Sequence, residues 1–189
     1  MEKKNLEDLS NLVFGLALTL GTIFLVQPKN DDLGEMVGIL LGFALSFIII
    51  IWIWLIYNKA MGKLHEEHRG LLILNIALLF LVVVEPYQLT TIEKVAGTTL
   101  YAIIVGTTLM IMAILNHYIV KENEGRGPEP QQFRVRRNSL IACGLIFYAS
   151  IAIGYATTPE IEHVIWLIIL LITITISALP TRTHPSRSH

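Results

Sequence analysis

The segment His65-Glu66-Glu67-His68 sets two imidazoles beside two carboxylates, the side chains that hold zinc and activate its bound water. A zinc-protease site needs its histidines at i and i+4, with a glutamate directly after the first. Here they stand at i and i+3, so the segment reads as a solvated turn. A glycine-rich phosphate loop, a nucleophile beside a base and an intramembrane pair of carboxylates are all missing. The chain is therefore expected not to be an enzyme and to need no cofactor. What remains is a set of uncharged polar groups in an apolar setting. The stretch LSNLVFGLALTLGTIFL, Leu9 to Leu25, carries Ser10, Asn11, Thr19 and Thr22, groups that can bond to neighbouring helices or face water and ions.

The elements that hold these groups must be membrane helices. Hydrophobic residues make up 53% of the 189-residue chain, and its mean hydropathy of +0.62 would leave a soluble domain with too much apolar surface. Six uncharged runs are candidate spans: Leu9–Gln27, Met36–Tyr57, Gly70–Val84, Val95–Val120, Asn138–Thr158 and Val164–Leu179. They are continuous rather than alternating, which excludes a membrane β-barrel. The predicted fold class is all-α, a polytopic membrane protein with six transmembrane helices. Gly70–Val84 is short, since fifteen residues reach only ~22 Å, which predicts Glu85 and Pro86 at its outer boundary. Cys143 lies inside the fifth span, where packing is its expected role.

Six spans place both termini on one side. All of the 14 lysines and arginines except Lys29 and Lys94 fall on that side, which predicts cytoplasmic termini in a cell membrane. The opposite side carries Asp31, Asp32, Glu35, Glu85, Glu93, Glu160 and Glu162. These either concentrate cations at an entrance or are ordinary solvated loop charges. One domain, residues 1–180, is expected, with a cytoplasmic linker at 121–137 whose glycines and prolines break helix, and a flexible tail at 181–189. A lipid bilayer is the expected surrounding, and no nucleic-acid partner is expected.

Within the first span, Leu16, Leu20 and Ile23 fall at i, i+4 and i+7, one stripe of a helix that Leu9, Leu12 and Val13 continue. By spacing alone this stripe packs on lipid or on a neighbouring helix as well as it would line a conduit.

The same stretch resembles the first-helix signature of the endolysosomal potassium channel family, transmembrane protein 175, which reads R-x-x-x-F-S-D-G-V-F-A-I-A-I-T-L. Laid on Asn5–Leu20, it matches Ser10, Val13, Phe14, Ala17, Thr19 and Leu20, with Leu16 and Leu18 in place of isoleucines. The family's S-F-x6-W is similar to Ser46, Phe47 and Trp54, and its L-x-N…P-F pattern to the sequence over Leu72–Tyr87. The departures are Asn5, Leu9, Asn11 and Leu12 where the family has arginine, phenylalanine, aspartate and glycine, and Tyr57 where it has histidine. The resemblance implies a homotetramer that conducts potassium, with the first helix of each subunit at the axis. In that register Leu16, Leu20 and Ile23 form successive constricting layers and Thr19 stands beside them, either offering a hydroxyl or bonding back to its own helix. It also implies an inter-helix polar cluster of Ser10, Asn11, Ser46 and Trp54 near the cytoplasmic face, with Asn75 as a further member. The family's charged clamp is reduced here to neutral groups, whose hydrogen bonds are roughly half as strong. A non-conducting membrane scaffold or sensor, or a small-solute carrier, is the alternative function.

Overall fold

A computed structural model describes residues 3–23, 33–63, 69–90, 95–123, 129–154 and 168. The described chain is all-helical: α1 (Lys3–Ile23), α2 (Leu33–Lys63), α3 (Arg69–Val84), a 3-10 turn at Glu85–Thr90, α4 (Val95–Glu122) and α5 (Glu129–Gly154). Apolar runs of this length fold as helices because only internal hydrogen bonding can satisfy the backbone in hydrocarbon. Four of these helices are long and apolar enough to cross a membrane, over Lys4–Ile23, Ile39–Lys63, Gly70–Tyr87 and Thr99–Glu122. The predicted sixth span at 164–179, the histidine-glutamate turn at 65–68 and the tail at 181–189 lie outside the described residues.

α4 is the most buried of the four spans and α1 the least. Leu109, Met112, Leu115 and Ile119 of α4 are sealed in the core with Ile49 and Ile53 of α2, Leu78 of α3 and Phe147 of α5. α4 and α5 pair along most of their length. Their backbones come together at two glycines, as small residues allow in a membrane interface. A methyl group on Gly144 would stand 3.2 Å from the Gly106 carbonyl oxygen, and one on Gly106 would stand 3.2 Å from the Tyr148 ring. Beside this crossing the Thr107 and Tyr148 hydroxyls share a hydrogen bond of 2.8 Å.

Two boundaries differ from the sequence expectation. α5 begins at Glu129, so residues 129–137 of the predicted linker are helical. Pro130 does not prevent this, because the first-turn N–H groups of a helix have no internal partner to lose. At the end of α3 the chain does not leave the bundle at Glu85. It tightens into the 3-10 turn, which touches α1, α2, α3 and α4. The short third helix thereby gains length at ~2 Å per residue, and Glu85 and Pro86 are buried instead of capping an outer boundary. This corrects the count of Glu85 among solvated loop charges and places a carboxyl within a span.

Candidate functional site

α1 has two different faces. Leu6, Ser10, Phe14, Ala17 and Gly21 recur at three- and four-residue steps and are all buried against α2 and α3. At the end of this face Gly21 leaves room for the Phe43 ring and for Pro86, whose Cβ would lie 3.8 Å from a methyl group at Gly21. The 3-10 turn is thereby seated on the far end of α1.

Ser10 is the hub of the inner face. Its hydroxyl donates to the Leu6 carbonyl at 2.7 Å, lies 2.7 Å from the Tyr57 hydroxyl, and accepts a longer bond from Asn75 Nδ2 at 3.4 Å. A serine has one donor and two acceptor positions, so with Tyr57 donating, Ser10 is saturated. The Phe14 ring lies 5.6 Å from the Tyr57 ring and closes the cluster on one side. A second link runs one residue further along α1, where Trp54 Nε1 donates to Asn11 Oδ1 at 2.9 Å. Together these bonds tie α1 to α2 at two adjacent positions and to α3 at one.

The structure thus brings together Ser10 and Asn75, and Asn11 and Trp54. It does not bring Ser46 to them. Ser46 lies eleven residues before Tyr57 on α2, about three helical turns away, and its hydroxyl donates to Glu85 Oε2 at 2.5 Å. The grouping of Ser46 with Ser10 is therefore corrected: Ser46 belongs to a second cluster with Glu85 and, beside the carboxyl, Tyr101. Glu85 is 3% exposed and Tyr101 fully buried. Glu85 Oε1 makes no hydrogen bond among the described residues. Sequence reasoning missed Tyr57, Glu85 and Tyr101. Tyr57 carried a signal, standing where the resemblance expects a histidine, whereas Tyr101 carried none.

The outer face of α1 is left open in the protomer. Leu12, Leu16 and Ile23 are 69%, 48% and 68% exposed, Leu9 is exposed too, and Leu20 is half-buried at the edge. Gly15, Thr19 and Thr22 lie on the same side. Thr19 bonds back to the Gly15 carbonyl at 3.0 Å, and Thr22 to the Thr19 carbonyl at 2.7 Å. With their protons used in this way, both hydroxyls can act only as acceptors toward anything that meets this face.

Comparison with known proteins gives two likenesses. Residues 5–86, which span α1 to the start of the 3-10 turn and hold Ser10, Tyr57, Asn75, Ser46 and Glu85, match the family Endosomal/lysosomal potassium channel TMEM175. In fold, the chain is similar to a lysosomal potassium-selective channel TMEM175 homolog from Chamaesiphon minutus, with a TM-score of 0.66 over 91% of this chain and 98% of that one, at 16% identity. No curated protein matches the chain. The chain is thus similar to the TMEM175 potassium channel family over its first three helices, and it shares the fold of that homolog across most of its length.

Proposed function

We propose that the protein is a potassium-permeable cation channel in the cell membrane, a homotetramer with cytoplasmic termini in which α1 of each subunit faces a central axis. The observation that carries this reading is the contrast between the two faces of α1. One face is closed by hydrogen bonds and packing, while Leu16 and Ile23 on the other remain exposed. The family match over residues 5–86 supports potassium as the permeant ion, since that family is described as a potassium channel.

Four copies of this face around an axis form rings of Leu16, Leu20 and Ile23 one turn apart. An apolar ring hinders ions through loss of hydration and gates by dewetting, so selectivity here does not use carbonyl coordination. Thr19 lies beside the rings and presents acceptor oxygen only. In this mechanism the chain carries out no covalent chemistry, holds no resident cofactor and acts on potassium alone as it passes.

The test is potassium flux from liposomes holding the purified protein, with valinomycin and sodium controls. Flux that is saturated by valinomycin and slower for sodium is expected. No flux across a range of potentials and pH would leave α1 as a packing surface of a scaffold or sensor. Flux of small organic solutes instead would indicate a carrier.

A further inference from the structure

At the opposite end of α2 from the Ser46 cluster, α2 and α5 enclose a cavity of about 340 Å3 whose described lining carries three cationic side chains and no carboxylate. Two four-residue steps face each other across it. Lys59 and Lys63 come from the last turns of α2, and Gln132 and Arg136 from the first turns of α5. Like charges four residues apart on a helix repel each other, and Arg136 adds a third across the gap. Arg136 is half-buried, with its guanidinium 5.5 Å from the centre of the Phe133 ring. The ring holds the guanidinium at the wall, since an aromatic face attracts a cation at this range. Gly62 opens the floor between the lysines, for a methyl group there would meet nothing within 4 Å.

We infer that this cavity binds the phosphate group of an anionic phospholipid. Planar Arg136 matches two phosphate oxygens, the two lysines supply point charge, and the Gln132 amide donates a further bond. A lipid source, rather than free phosphate, fits the surface that leads to the cavity. Ile48 and Leu55 are exposed seven residues apart on α2, and Leu55 stands one turn before Lys59. An acyl chain lying along that stripe brings its headgroup to the lysines at the membrane boundary, where basic pockets between helices take such headgroups.

The experiment is native mass spectrometry of the full-length protein in detergent, titrated with dioleoyl phosphatidic acid or dioleoyl phosphatidylcholine. Phosphatidic acid is expected to be retained about tenfold more strongly. The double change Lys59→Gln with Arg136→Gln is expected to remove most of that preference, and Lys59→Arg to keep it. Should the double variant not elute as the parent does, Lys59→Gln alone, at an exposed position, carries the test with a partial loss. Equal retention of the two lipids, or a preference untouched in a well-behaved Gln variant, overturns the site. Millimolar inorganic phosphate separates the sources: retention that survives it assigns the lipid, and displacement assigns a soluble phosphate in its place. Because the readout is binding, it stands apart from whether the protein conducts.

Discussion

Ser10 and Ser46 sit on helices that pack against each other, and each is the hydroxyl of a buried cluster built with an aromatic alcohol, Tyr57 in one case and Tyr101 in the other. The Ser10 cluster is made of neutral groups, and its serine is saturated by one donated and two accepted bonds. The Ser46 cluster contains a carboxyl with one oxygen engaged and the other without a hydrogen bond among the described residues. A buried neutral hydroxyl needs only a partner, whereas a buried carboxyl must either stay protonated or, when ionised, costs far more to take from water. The contrast separates a fastener, which holds α1 to its neighbours, from a group held in place by its surroundings at a cost.

Breaking the second cluster should have the larger effect on stability. Glu85→Ala leaves the Ser46 hydroxyl buried without its acceptor and opens a cavity, and the expected loss is about 3 kcal/mol. Thermal unfolding in detergent, followed by loss of the monodisperse elution peak, reads it. Glu85→Gln keeps the shape and an acceptor oxygen and should lose less than half as much. If Glu85→Ala were no worse than a single hydroxyl deletion at Tyr57, the two clusters would be equivalent and the contrast would fail.

Tyr57→Phe comes next. It deletes one bond to Ser10 while keeping the ring against Phe14, so about 1 kcal/mol is expected in the same unfolding measurement. The Trp54–Asn11 link is weaker still. Trp54→Phe and Asn11→Ala should each lower stability slightly, with a coupling of about 0.6 kcal/mol in a double-mutant cycle. Strict additivity of the two changes would mean that the bond fastens nothing.

The smallest effect on stability belongs to the outer face. Leu16 is 48% exposed in the protomer, so for Leu16→Asn the unfolding temperature should stay within a few degrees of the parent. In the proposed channel, conductance should nevertheless rise, and discrimination against sodium weaken, as the ring of Leu16 side chains rehydrates. An assembled Leu16→Asn protein with unchanged conductance and selectivity would remove Leu16 from the conduction path.

How much of this was legible in the sequence depended on whether a residue's neighbours were local. The spacing of Leu16, Leu20 and Ile23 placed them on one stripe because helical periodicity is local, and α1 alone combines an apolar stripe with enough polar residues to show it. Ser10, Asn11, Trp54 and Asn75 stood out because polar groups in apolar runs are few. The sequence groups Ser46 with Ser10 rather than with Glu85 because a polar residue in a span announces a need for a partner and not which partner. The burial of Glu85 is hidden from the sequence for a related reason. An acidic residue and a proline after an apolar run normally mark the end of a span, and only tertiary contacts turn that segment back into the bundle. α2 and α4 are apolar all round, so no pattern told their inner faces from their outer ones.

The meeting of Gly106 and Gly144 has a consequence for the order in which the molecule forms. α4 and α5 are neighbours in sequence, so their pairing closes a short loop and needs nothing from the first half of the chain. Such a hairpin can set early in biogenesis, while α1 must wait for partners from α2, α3 and the turn that follows them. Amide exchange should report this sequence, with α4 the last helix to exchange and α1 the first. The helix left for last also keeps an open face of its own. In the proposed tetramer, a newly made subunit would then meet its copies through its most recently docked segment, coupling the completion of each protomer to the closing of the assembly.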